Sequence, residues 1–476
     1  MAEDLFGREL ELRRRAERAG QAHLFSWWQD LSDRERARLL EQIDGIDFGL
    51  IDRLAENLVR KRASGGTGAL EPAPIIPLPA DQKGLQERLR ARDRGEESLR
   101  RGHVAALVAA GGQGTRLGFP GPKGSFPIGP LSGKTLFELF GERILAAGRR
   151  YGCAIPWYVM TSPATDAETR GFFREHDFFG LSRDDVCFFE QGTLPAVDRD
   201  GRVLMADKAE IALSPDGHGG TFRALRESGA LADMERRGIR EISYFQVDNV
   251  LVKPLDPVFI GFHALAEAEM SSKVVRKAYP EEKVGVLGMR DGKPGVIEYS
   301  DLSPEEMRAR GPDGELLYWA GSIAVHLIRT DFVRRLGSAK VELPFHRADK
   351  KVACIGADGN RVEPAAPNAV KFESFIFDAL GYADRSVALE VHRSEEFSPV
   401  KNAQGVDSPG TAQKDLMELF ALWLNDAGIR VPRTEDGALA VRIEISPLYA
   451  LDREELLAKI PPRLEIAGDL LLAGEG

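Results

Sequence analysis

The chain has 476 residues, of which 43% are hydrophobic and 29% charged, with a formal net charge of −10 and a pI of about 5.5. A chain of this length exceeds what one hydrophobic core normally supports, so we expect two or three domains. The acidic balance argues against a nucleic-acid partner. No apolar run reaches the length of about eighteen residues that a membrane helix needs, so we predict no membrane partner.

The three cysteines are far apart in sequence and form no CxxC pair. This spacing favours neither a disulfide framework nor a zinc site, and is typical of a reducing compartment. The N-terminal segment has no apolar core of the kind that a secretory signal requires. We therefore predict a cytoplasmic location.

The first part of the chain, residues 1–102, is predicted to be a helical N-terminal region. Ser32 followed by Glu35 forms a capping-box pattern before an apolar helix face. Residues 63–79 are rich in Gly and Pro and predict a connector. The charged segment after it predicts a surface helix, whose charges we interpret as a solvated face.

From residue 103 onward, short apolar strands alternate with amphipathic helices. Strands are predicted at 103–110, 155–162, 186–191 and 241–249, and helices at 134–150, 165–179, 220–231 and 256–270. This alternation is typical of βαβ units and predicts an α/β, Rossmann-like domain over residues 103–385 with a mostly parallel mixed sheet. Asp-Gly turns predict three inserted hairpins. Residues 386–476 predict a small C-terminal α+β domain.

The most informative stretch is "AAGGQGTRLGFPGPKG", residues 109–124, directly after the first buried strand. Open α/β sheets bind ligands beyond the carboxyl ends of their strands. Glycines allow backbone N–H groups to approach an anion closely. We interpret Gly111, Gly112 and Gly114 as a cradle for phosphates or a nucleotide base; a tight turn with no ligand is the alternative.

Two familiar nucleotide motifs do not fit. The G-x-G-x-x-G fingerprint fails because Leu117 stands where its third glycine belongs, with Gly118 one place late. The segment "GPLSGKT", residues 129–135, has three residues between its glycines where a Walker A loop has four. A P-loop phosphotransferase using Lys134 remains a weaker alternative.

The pattern G-G-x-G-T-R-L followed by P-K, residues 111–117 and 122–123, resembles the signature of sugar-nucleotide pyrophosphorylases. Further segments resemble the UDP-glucose pyrophosphorylase superfamily, and in particular the eukaryotic UDP-N-acetylglucosamine pyrophosphorylases, in that family's order. They are "FFEQGTLPA" (188–196), "SPDGHGGTFRAL" (214–225), "FQVDNVLVKPLDPVFIGF" (245–262), "VVRKAYPEEKVGVL" (274–287), "GVIEYSDLS" (295–303), "PNAVKFESFIFD" (367–378) and "EEFSPVKNA" (395–403).

The resemblance implies a nucleotidyltransferase that takes UTP and a sugar 1-phosphate and forms a UDP-sugar and pyrophosphate. It implies a set of site residues by motif position. The nucleotide-binding residues would be Ala109, Ala110, Gly111, Gly112, Gln191, Gly217 and Lys371. The catalytic cations would be Arg116, Lys123 and Lys401, the metal ligand Asp248, and the sugar-binding residues His218, Glu298 and Ser322.

These residue types suit the chemistry. Bringing a sugar phosphate to the α-phosphorus of a nucleoside triphosphate joins two polyanions, whose repulsion must be cancelled. Mg²⁺ held by a carboxylate such as Asp248 and by phosphate oxygens does this well. Taken singly, Asp248 could instead cap a turn, Lys371 and Lys401 could be surface lysines, and Glu298 could be the exposed member of a hairpin.

The chain departs from the acetylglucosamine branch of the family at the sugar. His218 stands where that branch has asparagine, whereas G-H-G resembles the enzymes for UDP-glucose and for broader UDP-sugars. Trp319, Ser322 and Val325 replace three further asparagines. N-acetylglucosamine 1-phosphate is the leading substrate, with glucose 1-phosphate or several sugar 1-phosphates as alternatives. A non-catalytic nucleotide-sugar binding protein is the other class, and the oligomeric state is left open.

Overall fold

The computed structural model describes residues 2–61, 68–338, 343–461 and 463–474. Residues 63–67 of the predicted connector lie outside the described residues. The strands are β1 Leu70–Pro72, β2 Val104–Ala109, β3 Trp157–Thr161, β4 Val186–Glu190, β5 Thr193–Pro195, β6 Met205–Asp207, β7 Glu210–Ile211, β8 Leu213–Pro215, β9 Glu241–Gln246, β10 Met270–Arg276, β11 Val286–Arg290, β12 Lys293–Ile297, β13 Ala320–Arg329, β14 Phe345–Lys350, β15 Cys354–Ile355, β16 Arg361–Val362, β17 Ala369–Ser374, β18 Ser386–Glu390, β19 Ile443–Ile445 and β20 Leu470–Leu472. The α-helices are α1 Ala2–Arg18, α2 Asp33–Asp44, α3 Phe48–Leu54, α4 Gln82–Arg100, α5 Leu136–Tyr151, α6 Asp166–Glu175, α7 Thr221–Glu227, α8 Ala230–Arg236, α9 Pro257–Leu265, α10 Pro304–Arg308, α11 Thr330–Leu336, α12 Arg393–Glu396, α13 Pro409–Asp426 and α14 Arg453–Lys459.

The chain folds into two compact units. The small unit comprises the described residues of Met1–Thr67, Gln191–Thr221 and Glu342–Asp378, and the sheet unit those of Gly68–Glu190, Phe222–Val341 and Ala379–Gly476. This grouping differs from the predicted order of three consecutive domains, whose boundaries at 102 and 385 stay a prediction.

The sheet unit is built on one mixed sheet. Its strand order is β1-β11-β13-β9-β2-β3-β4, with β12 paired to β11 and with β10 paired to β13 and β18. The half formed by β9, β2, β3 and β4 is parallel, whereas the strands around β13 and β11 pair antiparallel. The predicted α/β class is confirmed. The parallel half brings the carboxyl ends of β2 and β9 side by side.

The first predicted strand and helix of this unit form largely as expected. Every residue of β2 is buried. The apolar face of α5 is also buried, including Leu136, Phe140 and Ile144. Thr135 caps the helix and forms a capping box with Glu138. The Ser132 hydroxyl donates a hydrogen bond to the Glu444 carboxylate at 2.5 Å.

Three predicted helices are shorter than expected. The helix predicted over 165–179 ends at Glu175, because Asp177, Phe178 and Phe179 have left-handed φ values of 48°, 49° and 59°. The helix predicted over 256–270 ends at Leu265, because Glu267 has a left-handed φ of 47° and β10 begins at Met270. The helix predicted over 220–231 is divided at Gly229, whose φ is 80°. Apolar residues occur on both sides of each break, so hydrophobic periodicity alone does not show where the helices end.

The small unit packs the N-terminal helices with short antiparallel pairs. The pairs are β5 with β8, β6 with β7, β14 with β17, and β15 with β16. The predicted capping box of Ser32 and Glu35 starts α2. A buried cluster joins Leu39, Leu40, Val203 and Phe372 within this unit. Throughout the described residues, no helix combines the length and the apolar character that crossing a bilayer demands.

Candidate active site

The glycine-rich loop begins where β2 ends, beside the end of β9. Ala109 pairs in register with Gln246. The Ala110 amide donates to the Met160 carbonyl at 2.8 Å, and the Ser162 hydroxyl donates to the Gly111 carbonyl at 2.8 Å. The strand ends therefore fix the first residues of the loop through backbone hydrogen bonds.

The rest of the loop folds back on itself. The Gly114 amide donates to the Gly121 carbonyl at 2.8 Å, and the Lys123 amide donates to the Gly112 carbonyl at 3.0 Å. This second bond places the Lys123 backbone against the glycine segment. Two short 3-10 helices, Thr115–Leu117 and Lys123–Ser125, hold Arg116 and Lys123 on the same loop.

The glycines of this loop are required for different reasons. A Cβ at Gly114 would lie 2.8 Å from the Phe119 ring, and one at Gly124 would lie 2.1 Å from the Phe137 ring, so packing excludes side chains at both. Gly118 has a left-handed φ of 69°. A Cβ at Gly112 would meet none of the described atoms within 4 Å, and its φ is outside the left-handed region. At Gly112, neither packing nor backbone geometry requires a glycine.

Lys123 and Asp248 face each other at this edge of the sheet. The Lys123 Nζ lies 3.6 Å from the Asp248 Oδ2, and the two side chains are 15% and 21% exposed. Asp248 lies two residues beyond the end of β9. Burial together with the negative charge of Asp248 raises the pKa of Tyr244, which lies on β9. The pair combines a cation and a carboxylate that both remain accessible.

A second segment brings Lys401 toward the same strand end. The Val400 amide donates to the Asp248 carbonyl at 2.8 Å, and Asn249 and Pro399 form an antiparallel bridge. The Lys401 Nζ lies 3.7 Å from the Asp407 Oδ2 and 5.8 Å from the centre of the Phe397 ring. The structure thus places the predicted Lys401 one residue from a direct backbone contact with Asp248.

Arg116 is exposed on the 3-10 helix of the loop. Among the described residues, its guanidinium forms no ion pair. An exposed arginine on a phosphate-type loop can present its planar donors to an incoming phosphate.

Glu298 and Ser322 lie on either side of Gly285. The Ser322 amide donates to the Gly285 carbonyl at 2.8 Å, and a Cβ at Gly285 would lie 3.4 Å from the Glu298 Oε1. Ser322 belongs to β13, whose pairing with β10 shifts register between Ser272 and Val274. Ala324 adopts a left-handed φ of 53° in this bulge. Such a bulge re-aims neighbouring side chains, and the sequence pattern did not predict it.

Four of the predicted site residues belong to the small unit, namely Gln191, Gly217, His218 and Lys371. Gly217 has a φ of 87° and a ψ of 165°, a conformation open only to glycine. A Cβ there would lie 2.3 Å from the Ser374 carbonyl oxygen. The Ser374 amide also donates to the Asp216 carbonyl at 2.8 Å. The turn is therefore held directly against β17.

His218, Lys371 and Gln191 belong to the same unit. The His218 Nδ1 accepts a hydrogen bond from the Ile376 amide at 3.1 Å, and its ring lies 5.4 Å from that of Phe375. Lys371 is half-buried on β17, and burial lowers its pKa below the ordinary value, with Glu373 opposing the shift. Gln191 is half-buried before β5.

The donor set suits a metal that arrives with its substrate. In the described part of the chain, no group of three His, Cys, Asp or Glu side chains is arranged to hold a metal ion. Mg²⁺ commonly uses one or two carboxylates together with waters and substrate phosphates. The accessible Asp248 carboxylate beside the glycine-rich loop fits this mode, and Asp248 would be the residue that holds the ion.

The sequence analysis missed two buried residues that both contact Glu396: Asn249, which directly follows Asp248, and Lys273. Asn249 is buried, and its Nδ2 donates to the Glu396 carbonyl at 2.7 Å while its Oδ1 accepts from the Ser398 amide at 3.0 Å. Lys273 is fully buried between Asp256 at 2.7 Å and Glu396 at 2.9 Å. The signal for Asn249 was its position directly after Asp248; nothing in the local pattern marked Lys273.

Two other singled-out residues have structural partners. Lys134 of the "GPLSGKT" segment pairs with Glu142. Trp319 is half-buried, with the Arg276 guanidinium 4.4 Å from its ring centre. The pairing of Lys134 with Glu142 does not support the P-loop alternative.

Comparisons with known proteins agree with this geometry. Residues 53–425 match the family model described as UTP–glucose-1-phosphate uridylyltransferase. The human "UDP-N-acetylhexosamine pyrophosphorylase-like protein 1" is 43% identical over 443 residues, covering 89% of this chain and 86% of the relative. The Saccharomyces cerevisiae "UDP-N-acetylglucosamine pyrophosphorylase" is 38% identical over 460 residues, covering 92% and 94%.

Solved structures give the same relationship. The uridine diphosphate N-acetylglucosamine pyrophosphorylase of Trypanosoma brucei superposes with a TM-score of 0.81 at 28% identity, covering 98% of each chain. The putative UDP-N-acetylglucosamine pyrophosphorylase of Entamoeba histolytica has a TM-score of 0.76 at 32% identity, covering 85% of this chain and 100% of that one.

Proposed function

The chain belongs to the UTP–glucose-1-phosphate uridylyltransferase family, and we propose that it converts UTP and N-acetylglucosamine 1-phosphate into UDP-N-acetylglucosamine and pyrophosphate. The names of the relatives support both the reaction and this sugar. The observation that supports it most within the molecule is the accessible Lys123–Asp248 pair beside the glycine-rich loop.

The reaction needs positioning and charge more than proton transfer. A phosphate oxygen of the sugar phosphate forms a new bond to the α-phosphorus of UTP, and the bond from that phosphorus to the bridging oxygen of pyrophosphate breaks. Pyrophosphate leaves with the electron pair. The attacking oxygen is already ionised at neutral pH, so no general base is required.

The residues of the sheet unit have distinct roles in this proposal. The loop Ala109–Gly112 lets the nucleotide approach the backbone, and Gly112 leaves that face open. Lys123 and Arg116 offset the charge of the triphosphate. Lys401 binds the phosphate of the incoming sugar. Mg²⁺ held by Asp248 would supply further positive charge to the phosphate oxygens.

The remaining assignments stay predictions from the family resemblance. Gln191, Gly217 and Lys371 are proposed to contact the nucleotide, and His218, Glu298 and Ser322 the sugar. The three cysteines are free, which agrees with the cytoplasmic location that we propose.

Glucose 1-phosphate is the second candidate substrate. His218 supports it, because the G-H-G pattern resembles the UDP-glucose enzymes. In the structure, the His218 Nδ1 is occupied by the Ile376 amide, so this nitrogen would not be available to an acetamide group.

Purified protein incubated with UTP, MgCl₂ and single sugar 1-phosphates tests the proposal. We expect pyrophosphate release with N-acetylglucosamine 1-phosphate and a lower kcat/KM with glucose 1-phosphate. Omission of MgCl₂ with EDTA should abolish release. Absence of pyrophosphate release with every sugar, together with measurable UDP-sugar binding, would instead support a binding protein.

A further inference from the structure

The sheet unit contains a cavity of about 210 Å³ that the proposed reaction does not use. It is lined by α5, by residues 251–258, by α13 and by the segment from 444 to 454. None of the described site residues predicted above lines it. An engineered apolar cavity of about 150 Å³ holds benzene, so this volume suffices for a small ligand.

Most of the lining is apolar. Side chains such as Leu139, Leu251, Leu419, Phe420 and Trp423 face the space. Burial of an aliphatic chain against such a surface is favourable because it removes apolar area from water. The cavity therefore favours an apolar body over a sugar or a nucleotide.

Every charged side chain in the lining except Arg143 has a partner among the described residues. Lys253 pairs with Glu395 at 2.7 Å, and Asp256 pairs with Lys273 at 2.7 Å. The Glu444 carboxylate accepts hydrogen bonds from the backbone amides of Leu131 and Ser132 and from the Ser132 hydroxyl. The remaining pairs are Arg92 with Glu454 and Arg150 with Asp452.

Arg143 differs from them. Its guanidinium donates to the Val252 carbonyl at 3.1 Å and lies 5.7 Å from the Phe140 ring centre, and it makes no ion pair within the described residues. A guanidinium has five N–H donors, so most of its donors are unused. Arg143 is half-buried and lines the cavity. Burial lowers its pKa to about 10, so the group is still a cation at neutral pH.

A half-buried cation that lines a mostly apolar cavity and has no ion-pair partner among the described residues can gain charge pairing and hydrogen bonds from an anion. We infer that this cavity binds a small amphiphile with an apolar body and one anionic head group, such as a carboxylate, which pairs with the Arg143 guanidinium. The apolar wall excludes water from the pair, and a planar carboxylate matches the geometry of the guanidinium.

Isothermal titration calorimetry on the full chain with three eight-carbon probes tests this site. The probes are octanoate, octan-1-ol and octylammonium, which share the apolar chain and differ in the charge of the head group. Octanoate is expected to bind at least about tenfold more tightly than octan-1-ol, because a charge-assisted bidentate pair exceeds a neutral hydrogen bond. Octylammonium is expected to bind more weakly than both.

Variants assign the binding to the cavity. Arg143→Met should bring the affinities for octanoate and octan-1-ol to within about twofold of each other, while Val258→Phe, which fills lining space, should weaken both. Arg149→Met on the exposed face of the same helix is the matched control and should keep the wild-type preference for octanoate.

Three results would overturn the inference. They are no saturable binding of octanoate to the wild type, equal binding of octanoate and octan-1-ol, and an unchanged preference for octanoate in a folded Arg143→Met variant. Binding is measured without substrates, so the result is independent of whether the proposed uridylyl transfer is correct.

Discussion

The turn at Gly217 in the small unit and the loop at Gly112 in the sheet unit both resemble nucleotide-binding motifs. At Gly217, an added Cβ would lie 2.3 Å from the Ser374 carbonyl oxygen, whereas at Gly112 it would meet none of the described atoms within 4 Å. The first glycine is thus required by the fold of its own unit. The second is required neither by packing nor by backbone geometry, which leaves the loop open to a ligand.

The polar side chains of the two regions also differ in whether they are held by the protein or remain accessible. The His218 ring contacts Phe375 and its Nδ1 is bonded to backbone. Lys123 and Asp248 are held at 3.6 Å and both remain accessible. The comparison separates residues whose substitution should first reduce stability from residues whose substitution should first reduce activity.

The largest expected effect is on activity, in Lys123→Ala. Removal of one positioned cation from a phosphoryl-transfer site typically lowers kcat by about 10²–10³-fold. Stability should change by about 1 kcal/mol or less, because an accessible ion pair contributes little. Steady-state pyrophosphate release and urea unfolding measure the two quantities.

The exposed Lys414 on α13 gives the matched control. Lys414→Ala should retain wild-type kcat. Near-wild-type kcat in Lys123→Ala would remove Lys123 from the proposed machinery and erase the contrast between the two regions.

The next largest effect is on stability, in Gly217→Ala. A side chain in this conformation costs about 1–3 kcal/mol from backbone strain alone, and the contact with the Ser374 carbonyl adds to it. We expect a loss of about 2–4 kcal/mol in the free energy of unfolding, measured with urea.

Gly229→Ala is the control for backbone strain without a clash. Gly229 has a φ of 80° and open space at the Cβ position, so a loss of about 1 kcal/mol is expected. Equal losses at Gly217 and Gly229 would show that the close contact with Ser374 does not restrict the turn.

The third effect is on stability, in Glu241→Gln, at the opposite end of β9 from Asp248. Burial raises the pKa of Glu241 to about 7, against an ordinary value of 4.5, although three arginines oppose the shift. The folded state therefore favours the protonated carboxyl, and its stabilising contribution is full below pH 4.5 and lost as the pH rises toward 7. Glu241→Gln should remove this loss and stabilise the protein by about 1–3 kcal/mol at pH 8.

Urea unfolding of both proteins at pH 4.5 and pH 8 measures the difference. The stabilisation should be present at pH 8 and absent at pH 4.5, with kcat unchanged because Glu241 lies at the far end of the strand. A difference independent of pH would show that the Glu241 carboxyl is not protonated preferentially in the folded state.

The sequence alone predicted the features that depend on neighbouring residues. The strand 104–109, the buried face of α5 and the capping box at Ser32 are local patterns of hydrophobicity and hydrogen-bonding side chains. The glycine-rich loop was found because it follows a buried strand, and Asp248 because its segment resembles the family. The structure brings the two together because parallel strands have their carboxyl ends at one edge of the sheet.

What the sequence did not show depends on contacts between distant segments. Residues 191–221 and 343–378 join the N-terminal helices in one unit, which no periodicity reveals. The bulge with Ala324 in a left-handed conformation and the burial of Lys273 between two carboxylates both arise from strand pairing and packing. Local propensity contains no information on such partners.

The smallest expected effect is on the KM for UTP, in Gly112→Ala. This variant tests the contrast between Gly112 and Gly217 most directly. The Cβ would enter open space, and the backbone φ is one that alanine adopts freely. Stability should therefore change by less than about 0.5 kcal/mol. A methyl group on the face that the nucleotide approaches should raise the KM for UTP by about tenfold, equivalent to about 1.4 kcal/mol.

Gly171 on α6 supplies the matched control, since a Cβ there also meets open space. Gly171→Ala should leave the KM for UTP unchanged. If Gly112→Ala also left it unchanged, the open face of the loop would not be where the triphosphate approaches, and Gly112 would need another explanation. If Gly112→Ala instead unfolded the protein, the loop would resemble the Gly217 turn, with glycine required by the fold at both positions.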